Sequence, residues 1–377
     1  MIPFNKPYAP EASKKYVMEA LVSDHQQGDG PFTKRASKMV SDLVGGGHVL
    51  LTPSCTHALE MASMLGNFGP GDEVILPSYT FTSAATAVTK FGATPVFVDI
   101  DPVTKGIDAN QVAEAVTDKT VAISWVNYAG VAPDIEALQS IAKVRNLLLI
   151  EDNAHGLGGT YKGKPLGSFG DFATQSFHAT KNIQCGEGGA LVVNNSIFIE
   201  RAEIIREKGT DRSKFVRGEV QKYQWVDQGS SYLLAETLAA VLLGQLENFE
   251  NIQNSRNEYW NLYYSHLAPL IEKRKIKVQK PNINSSSNIG HMIYLEYPGK
   301  FLRDKILDKV KNQGISATSH YEPLHLSSYG KKFHGKKKLN ESEKFSDSML
   351  RLPIWSKMER WQINEAVQIV TRVVLEE

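Results

Sequence analysis

Seven short and nearly unbroken apolar runs lie between residues 49 and 193, at 49–51, 73–76, 95–99, 121–125, 147–152, 172–177 and 190–193. Most of them lack the in-and-out alternation of a half-exposed strand, so they predict strands covered on both faces, as in a mostly parallel sheet. Helical spacing of apolar residues fills the gaps at 56–65, 82–90, 109–115 and 135–144. Strand and helix therefore alternate, which predicts a doubly wound α/β domain with its ligand site beyond the carboxyl ends of the strands. Polar clusters follow three of these ends: Thr-Pro-Ser-Cys-Thr at 52–56, Ser-Tyr-Thr-Phe at 78–81 and Asp-Asn-Ala-His at 152–155. The site is expected where they converge.

Beyond residue 195 the pattern changes. A helical segment is predicted over 197–208, followed by a connection, 209–228, that mixes Arg212, Lys214, Arg217 and Lys222 with aromatic residues. A long helix over about 232–264 then leads to an Asn- and Ser-rich turn at 281–288, a strand at 291–296, a helix at 302–312 and a final helix after Trp361. These elements predict a smaller α+β domain over 251–377, set against a large domain over 1–250. The lysine-rich run 330–338 reads as a solvated loop, with a nucleotide-phosphate contact as the alternative.

Composition narrows the classes. Across 377 residues, 42 basic side chains face 41 acidic ones, a formal charge of +1, so no polyanion-binding surface and no nucleic-acid partner is expected. No run approaches the roughly 20 apolar residues of a membrane span, and the opening residues lack the pattern of a signal peptide. A cytoplasmic protein without membrane contact is the expectation. The two cysteines, Cys55 and Cys185, are too few for a disulfide framework and have no metal-ligand spacing around them, so no metal is expected.

The candidate chemistry centres on residues 176–182, Ser-Phe-His-Ala-Thr-Lys-Asn, which lie between the sixth and seventh predicted strands and precede Gly-Glu-Gly-Gly at 186–189. Lys181 there is either a solvated loop residue or an amine that forms a Schiff base with a carbonyl cofactor. Ser54, Cys55 and Thr56 stand where a strand turns into a helix, so they are either an ordinary cap or a phosphate cradle of free N–H groups. Asp152, at a strand end after an apolar run, needs a partner for its carboxylate; a helix N–H or a pyridinium N–H would serve. Phe81 is either core or a face for an aromatic ring.

Taken together, a phosphate-cradling turn, an aromatic face, a buried acid and a lysine are the parts that hold pyridoxal 5'-phosphate. The chain resembles the DegT/DnrJ/StrS sugar-nucleotide aminotransferases, fold-type I enzymes that use this cofactor. The resemblance rests on Ser-Cys-Thr-His-Ala-Leu at 54–59, Leu-Pro-Ser-Tyr-Thr-Phe at 76–81, Glu-Asp-Asn-Ala-His at 151–155, the segment 176–182 and Gly-Glu-Gly-Gly at 186–189. It implies that Lys181 and Asp152 are catalytic, that Ser54, Cys55, Thr56 and Ser176 surround the phosphate, and that Phe81 stacks on the ring. His155 and His178 either tune the cofactor or satisfy loop hydrogen bonds. Ser231 stands where many relatives carry an asparagine that reaches the phosphate across a dimer interface, so a homodimer with shared active sites is implied.

The same resemblance implies L-glutamate as amino donor and a nucleotide-linked keto-deoxy sugar as acceptor. Residues 28–35, 206–213, 229–232 and 320–325 point to dTDP-4-keto-6-deoxyglucose aminated at C4, with Arg212 and Arg217 facing the diphosphate and Tyr321 and His325 near the sugar. Amination at C3 and UDP- or GDP-linked acceptors stay open, as does a non-catalytic regulatory relative. A sugar dehydratase on this scaffold would carry histidine at the lysine position, and Lys181 argues against it.

Overall fold

A computed structural model describes residues 1–273, 275–278 and 287–377. Two helices come first, α1 (Glu11–Leu21) and α2 (Pro31–Leu43). An alternating run follows: β1 (His48–Thr52), α3 (Cys55–Leu65), β2 (Glu73–Pro77), α4 (Thr82–Thr89), β3 (Thr94–Val98), α5 (Ala109–Ala115), β4 (Thr120–Val126), α6 (Ile135–Arg145) and β5 (Leu148–Asp152). The small hairpin β6 (Thr160–Tyr161) and β7 (Lys164–Pro165) separates these from β8 (Phe172–Ser176) and β9 (Gly189–Val193). Seven strands join in the order β1-β9-β8-β5-β4-β2-β3, and β9 runs antiparallel to both of its neighbours while the other pairings are parallel.

All seven predicted strands form this sheet, and the reason their sequences are continuously apolar is visible in the packing. Val49 and Leu51 bury into one layer with α2 and the later helix Glu236–Glu247, while Leu50 between them buries into the opposite layer with α3. Ala190 and Val192 against Leu191 and Val193 repeat the division on β9. On β5, Ile150 and Leu149 likewise separate, the latter packing with Ile135 and Leu138 of α6. Helices cover both faces, so each strand residue meets protein whichever way it points.

The remaining elements are α7 (Ile199–Arg206), α8 (Arg212–Val216), α9 (Glu236–Glu247), α10 (Phe249–Glu272), β10 (Lys277–Val278), β11 (Ile293–Glu296), α11 (Lys300–Asn312), α12 (Asn340–Ser348), β12 (Met349–Leu352) and α13 (Arg360–Leu375). The antiparallel sheet β10-β11-β12 packs with α10, α11 and α13 around a second core that includes Tyr263, Ile306, Leu350 and Val370. Ile2 belongs to this core too, bridged to Ile315 and donating its N–H to Gly314 O at 2.8 Å. The chain's start is thus stitched to its carboxyl-terminal layer.

One expectation is corrected. The single helix over 232–264 is two, α9 and α10, and Asn248 separates them by turning its Nδ2 back onto Gly244 O at 3.0 Å. An asparagine that satisfies a backbone carbonyl in this way competes with helix continuation. The connection 209–228 contains the short helix α8. Most of the predicted turn at 281–288 lies outside the described residues.

Glu236, at the start of α9, shows how the amino-terminal layer is fastened. Its fully buried carboxylate accepts the backbone N–H groups of Gly30 at 3.0 Å, Phe32 at 2.8 Å and Thr33 at 3.0 Å, and also the Thr33 hydroxyl. These are the unpaired donors of the first turn of α2, so one side chain caps another helix. Glu236→Ala is expected to cost about 3 kcal/mol, because it leaves several buried donors unpaired. An unchanged midpoint in urea denaturation would contradict this role.

Candidate active site

The strands of a parallel sheet end on one edge, and here the ends of β1, β2, β4, β5 and β8 open into a cavity of about 420 Å³. Ser54, Cys55, Thr56, Phe81, Asp152, His155, Ser176 and Lys181 all line it. Eight of the nine cofactor residues expected from the sequence are therefore brought together; Ser231 is the exception.

The floor is the first turn of α3. Ser54 is its N-cap, with Oγ taking the His57 N–H at 3.2 Å and lying 3.1 Å from His57 Nδ1. That occupies the hydroxyl and leaves the N–H groups of Cys55 and Thr56, which have no acceptor inside the helix, pointing at the cavity end. Thr56 Oγ1 meets Ser83 Oγ at 2.7 Å, which ties α3 to α4 beside the turn. Gly189 has to be glycine: a Cβ there would stand 2.4 Å from Cys55 N and Ser54 C. The close approach of β9 fixes this turn against Ser176, the residue paired with Gly189.

Asp152 ends β5 and is only 6% exposed. Its Oδ1 takes the Ala154 N–H at 3.0 Å, and Cys55 Sγ lies 3.9 Å from it and 3.4 Å from Thr174 Oγ1. Burial raises the carboxyl's pKa above the ordinary aspartate range, and the Ala154 N–H, the charge of Lys181 and the Thr174 and Cys55 side chains oppose the rise. Its neighbour Glu151 points the other way and is consumed structurally, accepting from Gly167 N at 2.7 Å, Phe169 N at 3.0 Å and Asn127 Nδ2 at 2.8 Å. One carboxylate of this adjacent pair is thus left for chemistry.

Lys181 sits in the loop between β8 and β9, where Phe177 N bonds Gly188 O at 2.8 Å, Ala179 N bonds Gly186 O at 2.9 Å and Lys181 N bonds His178 O at 2.9 Å. Burial lowers its ammonium to about 8, with Cys55 and Asp152 acting against the shift and the charge of Arg351 adding to it. A neutral amine attacks a carbonyl and an ammonium does not. Covalent uptake of pyridoxal phosphate by cofactor-free protein is therefore expected to accelerate up to about pH 8 and to level off above it. A rate that keeps rising toward the ordinary lysine range would contradict this environment.

Three histidines form the far wall, and two of them were not singled out from the sequence. His155 stacks on His291 with ring centroids 4.4 Å apart, and His291 Nδ1 lies 2.9 Å from Asn182 Oδ1. His320 Nδ1 lies 2.7 Å from Tyr128 Oη, and its ring stacks on Tyr321 at 3.6 Å. Burial drives the pKa of His155 and His291 well below the ordinary value and that of His320 to about 2, so all three are neutral at pH 7. His178 is exposed at the rim and turns onto Thr180 Oγ1 at 2.9 Å. His291, His320 and Arg351 come from the carboxyl-terminal part, and only His320, next to Tyr321, had a local signal.

The expected substrate residues divide. Tyr321 lines the cavity and stands 5.9 Å from the ring of Phe81, which is 55% exposed at the mouth. His325 does not line it: the residue is buried beneath, with Nδ1 2.6 Å from Ser78 Oγ and Nε2 3.3 Å from Glu343. Arg212 and Arg217 also lie outside this cavity, paired with Glu207 at 3.6 Å and with Glu203 at 2.8 Å. Ser231 is exposed and bridges to Glu207.

The donor set fits pyridoxal 5'-phosphate. Unpaired N–H groups and Ser176 suit a phosphate, the buried carboxylate of Asp152 on the cavity wall suits a protonated ring nitrogen, Phe81 offers a ring face, and Lys181 suits the aldehyde. The sequence pattern of the DegT/DnrJ/EryC1/StrS aminotransferase family matches residues 7–371. The GDP-perosamine synthase of Caulobacter vibrioides is 32% identical over 316 residues, covering 83% of this chain and 82% of that protein. Among solved structures, the Helicobacter pylori aminotransferase PseC, involved in the biosynthesis of pseudoaminic acid, superposes with a TM-score of 0.91 at 25% identity over 100% of both chains. Spr1654 of Streptococcus pneumoniae, described as a sugar aminotransferase and solved in its PLP form, gives a TM-score of 0.90 at 26% identity over 100% of this chain and 99% of that one.

Proposed function

The chain belongs to the DegT/DnrJ/EryC1/StrS aminotransferase family, and from that premise we propose that it transfers the amino group of L-glutamate to C4 of dTDP-4-keto-6-deoxyglucose. It is a sugar aminotransferase that depends on pyridoxal phosphate. The observation that carries the reading is the placement of Lys181 and Asp152 in one cavity above the first turn of α3.

When bound, the cofactor supplies an electron-accepting ring and a carbonyl that carries the amino group. Asp152, as an anion, favours a proton on the ring nitrogen and so deepens the electron sink. Lys181 would hold the cofactor at rest, and its Nζ, freed when the amino donor binds, would move a proton from the donor's α-carbon to the cofactor in the first half-reaction and from the cofactor to C4 of the sugar in the second. The neutral histidine wall adds no charge that would compete for Asp152. Phe81 and Tyr321 narrow the mouth against water.

The choice of a dTDP-linked 4-keto sugar is supported by the segments 28–35, 206–213 and 320–325 quoted above; the perosamine relative makes a GDP-linked acceptor the second reading. The test is a panel of dTDP-, UDP- and GDP-linked 3- and 4-keto sugars with L-glutamate. A 4-amino product from the dTDP substrate is expected. Conversion of a different nucleotide or a 3-keto isomer, with none of the dTDP 4-keto sugar, would overturn the assignment.

A homodimer that shares its active sites is part of the same reading. Residues 209–228 form an excursion closed at its base, where Gly229 would place a Cβ 2.1 Å from Gly209 N and Arg201 pairs with Asp227 at 2.8 Å. This segment exposes Phe215, Tyr223 and Trp225, the last by 80%, which is costly surface for a monomer. Arg212, Arg217 and Ser231 lie in or beside this segment and would serve the partner's cavity. Trp225→Asp is expected to yield a monomer in sedimentation with lost turnover; a fully active monomer would contradict the shared site.

A further inference from the structure

Glu151 and Asp152 are adjacent and buried, yet unequally served. Around Glu151 close the N–H groups of Gly167 and Phe169 and the Asn127 amide. Among the described residues the carboxylate of Asp152 takes one backbone N–H, that of Ala154 at 3.0 Å. An ionised carboxylate held away from water is costly unless further donors reach it. Two side chains are placed to do so. Thr174 on β8 pairs directly with Asp152 across the parallel ladder, so both side chains leave the sheet on the same face. Cys55, in the first turn of α3, donates its Sγ–H to Thr174 Oγ1 at 3.4 Å and stands 3.9 Å from Asp152 Oδ1.

Thr174 is fully buried, and a buried hydroxyl is unfavourable without a partner. Valine has nearly the same shape without that cost, so the hydroxyl is accounted for by what it meets. Against the burial that raises the Asp152 carboxyl, it acts as a hydrogen-bond donor that favours the ionised form, and the Cys55 thiol donates to it in turn. Hydrogen bonds in such a chain strengthen one another. Burial, with the charge of Asp152, pushes the Cys55 thiol up, so it stays protonated and remains a donor. The other titratable groups that act with Asp152 are Lys181 from the β8–β9 loop, whose charge also favours the carboxylate, and Tyr321 from the carboxyl-terminal layer, which burial keeps neutral.

We propose that Thr174 is the positioning residue for Asp152: its hydroxyl, backed by the Cys55 thiol, holds the carboxylate ionised and aimed for the protonated ring nitrogen of the cofactor. The assignment rests on the aminotransferase reading. Both residues act through Asp152, and neither moves a proton in the reaction. Cys55 also belongs to the α3 turn that suits the phosphate, so its thiol ties that end of the cofactor's bed to the acid at the other.

The experiment compares wild type, Thr174→Val, Thr174→Ser and Cys55→Ala, each also in the Asp152→Asn background. Melting of the cofactor-free protein is followed from about pH 5 to about pH 9, and affinities for pyridoxal 5'-phosphate and for inorganic phosphate are measured at about pH 7. With its pKa raised by burial, the Asp152 carboxyl of the folded chain becomes charged only as pH rises through that raised value. The hydroxyl supports the charged form, so the Tm deficit of Thr174→Val against wild type should widen with rising pH and stay flat in the Asp152→Asn background. Thr174→Val should also weaken pyridoxal phosphate roughly tenfold, the worth of one hydrogen bond to a charged group, with inorganic phosphate within about twofold of wild type. Thr174→Ser returns the hydroxyl and should restore both readouts, while Cys55→Ala should give a smaller loss in the same direction. If Thr174→Val fails to fold, Cys55→Ala decides by the same two readouts. A Tm deficit equal at every pH and unchanged in the Asp152→Asn background would make the hydroxyl a packing element and overturn the proposal, as would equal losses of both ligands. If wild type binds phosphate but no pyridoxal phosphate, the aminotransferase reading falls, and the pH-linked melting still decides whether Thr174 supports Asp152.

Discussion

Replacing Lys181 by alanine is expected to lower turnover by about 10⁴-fold or more while leaving the protein folded and able to bind pyridoxal phosphate without a covalent link. Two functions are lost together: the amine that attaches the cofactor, and the base that moves the proton at the reacting carbon, which alone is worth roughly 10²- to 10⁴-fold. The binding contacts that remain are independent of that side chain. They are the first turn of α3, packed against Gly189, and the carboxylate of Asp152. The variant should therefore show cofactor absorbance that dialysis removes, in contrast to wild type. Turnover within tenfold of wild type would mean that a different amine does the work.

Asp152→Asn separates function from stability. Activity should fall by roughly 10²- to 10³-fold, the usual cost of removing one aligned charge from a reacting centre. Stability without cofactor should move the other way. Burial raises the carboxyl's pKa in the folded chain, so the folded state keeps this proton to higher pH than the unfolded chain does. The stabilisation from that proton is full below the ordinary aspartate range and is lost as pH rises through the raised value. At neutral pH asparagine escapes that loss, so the cofactor-free variant is expected to melt at a higher Tm than cofactor-free wild type. The advantage should shrink or reverse once cofactor is bound, because only the carboxylate gains a cationic partner. Near-normal turnover in this variant would remove Asp152 from the mechanism.

Both residues were legible in the sequence because each sits directly after or between strands whose apolar runs are unmistakable. Leu148–Asp152 and Phe172–Ser176 are adjacent parallel strands, so two sequence-local signals become spatial neighbours once the sheet order is set. His291 and Arg351 carry no such signal, and His320 had only the motif it shares with Tyr321. They reach the cavity only because the carboxyl-terminal layer folds back over the strand ends, and a single histidine or arginine has no periodicity to announce it. His325 shows the converse: it shares a motif with Tyr321, yet the short turn at Leu324–Leu326 directs it to Ser78, beneath the cavity. The amino-terminal helices were readable in principle, since Phe32, Ala36 and Val40 recur at helical spacing on α2 and bury together. The break at Asn248 was not, because one side-chain hydrogen bond decides it.

Lys181, in the loop between β8 and β9, is proposed as the attachment and proton-transfer group of this sugar aminotransferase. Borohydride reduction of the protein loaded with pyridoxal phosphate, followed by digestion and mass mapping of the labelled peptide, tests it most directly. The label is expected on Lys181, and its incorporation should be lost when the loaded protein is first incubated with L-glutamate. A label on any other lysine, or no label in protein that nonetheless converts the keto sugar, would contradict the account.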